Sequence, residues 1–271
     1  MAMLISPSGS FGQEVAQTAM QKSLAGKIVS DVEIFLDDAG MFLVAPADFG
    51  AREWVLTGSA TGTTIALMAA DSDFKRWIGG ETQKGLNGDL LDIPTGYGNV
   101  AYASIFSFGT YATGLISGND EIRTTGRMLI ESIAISGVSV MMIRFVFGRN
   151  RPYGDNSPWG YNWFEWSNRL QAFPSGHTMV AFAISTVLAE RIGSVWARVG
   201  FYGMASLTGI ARVRNNQHWT SDVVAGGLVG LLAGLHVVHR EEEREQCAGS
   251  EGSRFEVTPY GDGMKLTWWL R

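Results

Sequence analysis

The chain of 271 residues has a single cysteine, Cys247, so neither an intrachain disulfide nor a thiolate metal cage can hold it together. That thiol sits in a charged tail away from groups that would activate it, and it reads as incidental. Charge is also scarce. Only 17% of residues are charged, and 26 acidic against 21 basic side chains leave a formal charge of -5. No basic field exists to hold a polyanionic backbone, which argues against nucleic-acid binding and requires any anion site to be local. Residues 1–12, MAMLISPSGSFG, lack the basic start and long apolar stretch of a secretory signal. Long uninterrupted apolar runs are missing too. The charge-free stretches between Glu53 and Asp71, between Glu131 and Arg144, between Arg198 and Arg212, and after Asp222 fall short of the roughly 20 residues of a spanning helix. The run from Ile93 to Asn119 is longer but contains Pro94 and several glycines. On run length alone, a soluble or membrane-associated bundle is expected ahead of an integral one.

What the chain does have is apolar helical patterning. With 46% hydrophobic residues it can bury one substantial core. Six helical stretches are predicted, at 52–70, 98–117, 125–147, 177–191, 195–210 and 220–239, so the expected class is mainly α, a bundle of about six core helices. Residues 1–50, with an amphipathic stretch around Val15 to Leu36, are expected to pack on a catalytic bundle at 51–240; residues 241–271 read as a charged linker and tail. The run HREEEREQ at 239–246 is expected to solvate a helix end. Alternation around a Gly-Asp-Gly turn near the C-terminus suggests a small β-hairpin. Residues 148–176 have no helical period, and so long a loop inside a compact domain is usually functional.

Chemistry-bearing residues gather in three places. In RFVFGRNRP, Arg144 ends a predicted helix, and Arg151 follows seven residues on, its direction set by Pro152. Planar guanidinium donors suit phosphate, although a solvated arginine-rich loop is the plainer reading, with Arg149 and Asn150 as solvent-facing bystanders. In PSGH, Pro174, Ser175 and Gly176 precede His177 at a helix start, where free N–H groups and the helix dipole form an oxyanion cradle. Ser175 is equally readable there as a simple N-cap. In ARVRNNQHWTSD, Arg212 lies six residues before His218, and Asp222 four after it. That last spacing puts both on one helical face, where the carboxylate can accept one imidazole proton and leave the other nitrogen free. Asp222 as a helix cap is the alternative. His236 and His239, near the end of an apolar helix, suit packing or a dipole contact. No histidine pair has the look of a transition-metal site, so metal-free chemistry is preferred.

At these residues the sequence resembles the type 2 phosphatidic acid phosphatase superfamily, which includes bacterial acid phosphatases and vanadium haloperoxidases. The three motifs match at full spacing, with Arg144 where the family commonly has Lys and Ala211 where it commonly has Ser. The resemblance covers roughly residues 51–240 and implies a helical bundle with its site at one end. It implies His218 as a nucleophile forming a phosphohistidine, Asp222 as its orienting carboxylate, and His177 as the group that protonates the leaving oxygen and then activates water. Arg144, Arg151, Arg212, Ser175 and the Gly176 amide would hold the phosphoryl oxygens. The expected activity is hydrolysis of phosphate monoesters without metal or cofactor, with lipid phosphate or lipid pyrophosphate favoured over small soluble esters. Vanadate is expected as a phosphate-mimicking inhibitor, or as a cofactor if the chain is a haloperoxidase, for which it is short. A periplasm-facing or membrane-associated location is implied by the resemblance alone. Trp159, Tyr161, Trp163, Phe164 and Trp166 are candidates for an apolar entrance.

Overall fold

The computed structural model describes residues 10–81, 88–153, 157–165, 167, 171–251, 254–260 and 263–269. Its helices are α1 (Ser10–Val44), α2 (Ala51–Glu81), α3 (Gly88–Tyr97), α4 (Val100–Ser117), α5 (Asp120–Phe147), α6 (Gly176–Ile192), α7 (Val195–Arg214) and α8 (Thr220–Glu251). A 3-10 turn at Ala45–Asp48 joins α1 to α2, and β1 (Arg254–Tyr260) pairs antiparallel with β2 (Gly263–Trp269) as the C-terminal hairpin. The middle of the Gly-Asp-Gly turn lies outside the described residues.

Local chemistry sets the helix ends. Asn99, Asn119, Ser175 and Ser194 cap α4, α5, α6 and α7, each accepting a backbone N–H with its side-chain oxygen. At Gly118, Gly148 and Gly193 the chain leaves α4, α5 and α6 with φ of 70°, 49° and 68°, a conformation that costs glycine little. The hub is α6, which packs on α5, α7 and α8 and buries residues on every face. Its closest partner is α8. Gly226, Gly230 and Gly234 recur at every fourth position of α8, and the last two lie directly against Met179, Ala183 and Thr186 of α6. No side chain fits between those backbones, so the two helices approach as small-residue helix pairs do. Met128, Leu129, Val140, Val180, Val187 and Val237 fill the core around this contact.

Several helices run well past the charge-free stretches that predicted them. Several charged residues inside them are buried and paired. On α5, Arg123 meets Asp31 of α1 at 2.6 Å, and Arg127 meets Glu131 at 2.8 Å and Glu241 of α8 at 2.5 Å. The HREEEREQ run does more than solvate a helix end. It continues α8, with Arg240 bonded to Asp37 at 2.7 Å and Arg244 to Asp38, tying α8 to α1. His236 packs edge-on against Phe42, as a packing histidine should.

The consequence is a correction to the expectation from run length. With those charges satisfied internally, α5 and residues 220–247 of α8 are long and apolar enough to cross a membrane, by length and composition. Large apolar side chains also face outward on other helices, among them Val55, Ile65, Ile105, Phe108, Ile116 and Trp196. An apolar surface of that extent marks a membrane- or partner-facing molecule.

Candidate active site

The three sequence motifs come together where α5 ends and α6 and α8 begin. Arg144, in the last turn of α5, donates from Nε and Nη2 to the Pro174 carbonyl at 3.0 and 2.9 Å, so its fork is aimed by the backbone that leads into α6. Gly176 leaves room for it. A Cβ at that position would sit 2.9 Å from Arg144 Nη2. Ser175 is fully buried and its hydroxyl is engaged with the start of α6, 3.0 Å from Thr178 Oγ1 and accepting the Thr178 N–H at 3.5 Å. Its backbone N–H donates to the Asp222 carbonyl at 2.9 Å, locking the mouth of α6 to that of α8. Arg151 reaches the Gln217 side chain at 3.2 Å. Arg212, on the last turn of α7, keeps a buried Nε without a hydrogen-bond partner. A buried donor left open in this way is ready for a ligand acceptor.

Both imidazoles feel these cations. His177 is held down from the ordinary imidazole value of 6.5 to about 4, first by burial and then by the charges of Arg212, His218, Arg144 and Arg151. His218 is buried and lowered for the same first reason; the nearby Asp222 carboxylate opposes the shift, while Arg151 and Arg144 add to it. Two neutral imidazoles among three guanidiniums form an electropositive pocket for an oxyanion.

Asp222 sits where the four-residue spacing puts it, but its bonding differs from the expectation. His218 Nδ1 lies 2.7 Å from the Ala172 carbonyl and 3.7 Å from Asp222 Oδ2. The carbonyl therefore takes the Nδ1 proton, which leaves the Nε2 lone pair free, and Asp222 acts on the ring as a nearby charge. Asp222 also has the capping role, with Oδ2 accepting the Trp219 N–H at 2.8 Å, while Oδ1 accepts from Arg149 Nη1 at 2.5 Å.

Arg149 is the largest correction. The sequence reading left it as a solvent-facing bystander, yet it is 0% exposed. It bonds Asp222 and also Asp71 of α2 at 2.7 Å, the Ser221 hydroxyl at 2.7 Å and the Pro158 carbonyl at 2.9 Å. Asp71 in turn accepts the Ser221 N–H at 3.0 Å and hydroxyl at 2.6 Å. Neither Asp71 nor Ser221 was singled out as a functional residue in the sequence. The only available signal was Asp71 ending an apolar run.

The loop after α5 folds back on itself. Arg149 and Tyr161 form a β-bridge, and the Ala172 N–H returns to the Arg149 carbonyl at 3.2 Å, which delivers the Ala172 carbonyl to His218. Tyr161 stacks on Trp163 with ring centroids 5.8 Å apart, and Phe147 lies 5.3 Å from Trp163. Trp159, Trp163 and Phe164 remain exposed, whereas Trp166 lies outside the described residues. Among the described residues, no group of three or more His, Cys, Asp or Glu side chains is placed to hold a metal ion.

The chain is similar to several known proteins. A lipid A 1-phosphatase of Porphyromonas gingivalis is 38% identical over 117 residues, 41% of this chain and 23% of the relative. Lipid A 1-phosphatases of Rhizobium etli and Rhizobium johnstonii are 26% and 30% identical, over 51% and 41% of this chain and 64% and 45% of theirs. The chain thus spans less than two thirds of each of these relatives. Among solved structures, Aquifex aeolicus LpxE aligns with a TM-score of 0.47 at 22% identity, covering 62% of this chain and 93% of that one. A transmembrane PAP2 type phosphatidylglycerolphosphate phosphatase of Bacillus subtilis aligns with a TM-score of 0.45 at 17% identity, covering 79% of this chain and 96% of that one. The family model described as the PAP2 superfamily matches residues 126–246. That matched stretch contains Arg144, Arg151, His177, Arg212, His218 and Asp222.

Proposed function

We propose that this chain is a membrane-associated phosphatase that hydrolyses the phosphate monoester of a lipid, with a glycolipid phosphate of the lipid A type as the favoured substrate. The reading is carried by one observation: a cluster of two neutral imidazoles and three guanidiniums at one end of a bundle whose outer surface is apolar. The names of the relatives and the exposed apolar helices favour a lipid ester over a small soluble one. In this reading the lone pair of His218 Nε2 attacks phosphorus while the bond to the ester oxygen breaks. His177, protonated once the phosphate dianion offsets the surrounding cations, gives its proton to the departing alkoxide. Water, losing a proton to His177, then attacks the phosphohistidine and breaks the P–N bond. Arg144, Arg151, Arg212 and the Gly176 N–H stabilise the equatorial oxygens, and Ser175 holds the mouth of α6 in shape.

The test uses the full chain in detergent, with lipid A and p-nitrophenyl phosphate as parallel substrates. Phosphate release from both, faster from lipid A, is expected. His218→Ala should lower kcat by at least about 10³-fold. An active His218→Ala variant would remove the nucleophile from the proposal, and a preference for the aryl ester would remove the lipid. Orthovanadate should compete with either substrate.

A further inference from the structure

We propose that Asp71 is a positioning residue for this reaction: acting through Arg149, it fixes Asp222 near Nδ1 of His218 and keeps the Asp71–Arg149–Asp222 chain at a net charge of minus one. The inference rests on the reading of His218 as nucleophile. Arg149, Asp71 and Asp222 have no exposed side-chain surface, so their charges are balanced by one another rather than by water. With Asp222 alone against Arg149, the pair would be neutral, and the imidazolium character that grows as His218 bonds to phosphorus would face three unopposed guanidiniums. The second carboxylate restores one negative charge on that side of the ring. Ser221 couples the parts, its hydroxyl donating to Asp71 and accepting from Arg149. Its own N–H also donates to Asp71, which pins the first turn of α8, and with it Asp222, to α2.

The ionisable groups around His218 come from every neighbouring element: Arg144 on α5, Arg149 and Arg151 on the loop after it, His177 on α6, Arg212 on α7, Asp222 on α8, and Asp71 and Lys75 on α2, which line a small cavity with His218. Burial raises Asp71 above the ordinary carboxylate value, and its bonds from Ser221 and Arg149 oppose the rise. All of the local cations except Lys75 and Arg149 belong to the anion pocket, so Asp71 is the carboxylate whose removal changes the balance without touching bound phosphate.

The experiment measures kcat, KM and the acidic limb of kcat/KM on p-nitrophenyl phosphate for the full chain in detergent. Asp71→Asn, which keeps shape and loses charge, should lower kcat about 10- to 100-fold with KM within about twofold, and Asp71→Glu should recover most of the loss. Arg149→Gln leaves two carboxylates facing the ring, so its acidic limb should move to higher pH by about one unit. An ordinary structural defect gives neither the Glu rescue nor an upward limb. If Asp71→Asn does not accumulate folded, Ser221→Ala, which removes no charge, should lower kcat about threefold to tenfold with the limb in place. Wild-type kcat in Asp71→Asn or in Ser221→Ala overturns the proposal, as does an unmoved limb in Arg149→Gln or a loss that Asp71→Glu does not recover. Failure of the phosphatase reading looks different: an inactive wild-type chain, or one indifferent to His218→Ala.

Discussion

His177 shows how a single side chain couples fold stability to ligand charge. Its folded value of about 4 lies below the ordinary 6.5, so between those limits the unfolded chain binds the proton more readily than the native one. Stability is therefore full above about pH 6.5 and declines as pH falls toward 4, with buried His218 contributing in the same direction. Melting temperature followed from pH 7 to pH 4.5 should drop, and His177→Gln should flatten the drop. An oxyanion among the guanidiniums opposes the same field and restores proton affinity. Orthovanadate binding near pH 6 should thus take up protons, measured as a buffer-dependent binding enthalpy, and His177→Gln should abolish that uptake. Arg212, depressed by burial and then by Arg151, should gain from the anion's arrival. Arg212→Gln is expected to lower kcat on p-nitrophenyl phosphate about 10²- to 10³-fold.

At the scale of elements, the relation of α6 to α8 decides whether a site exists. PSGH opens one helix and HWTSD opens the other, so any change in their approach separates His177 from His218. Gly230 faces the Met179 carbonyl and the Ala183 N–H with no space for a side chain. Gly230→Leu should destabilise the fold by about 1–3 kcal/mol or more and lower activity in parallel, read from thermal melts and kcat on the same preparation. The caps at Asn99, Asn119 and Ser194 are local devices, and Asn119→Ala should cost about 1 kcal/mol without altering KM.

At the scale of the whole molecule, two features divide the labour. One end carries the anion pocket. The paired charges of Asp31, Arg123, Arg127, Glu131, Asp38, Glu241 and Arg244 lash α1, α5 and α8 together elsewhere in the bundle. Removing one member leaves a buried charge without its counter-ion, so Arg127→Ala should destabilise by about 3–5 kcal/mol while leaving the chemistry of the residual folded protein intact, as titration of active sites with orthovanadate would show. The outward apolar side chains should make the purified chain aggregate without detergent and run as one species with it, measured by size-exclusion chromatography.

What the sequence determined by itself is whatever depends on near neighbours. The Arg144 to Arg151 spacing, the PSGH helix start, the His218 to Asp222 turn and the Asn, Ser and Gly helix ends all follow from a few consecutive residues, and the structure brings them together. Only the tertiary structure decided the rest. The Nδ1 proton of His218 goes to a carbonyl 46 residues away, and Arg149 finds its second carboxylate 78 residues away on α2. Charges that seemed to break helices are instead satisfied by partners on other helices, such as Asp31 for Arg123 at a separation of 92 residues. Burial makes these pairings strong, and a buried pair is legible only once both of its halves have a place in space.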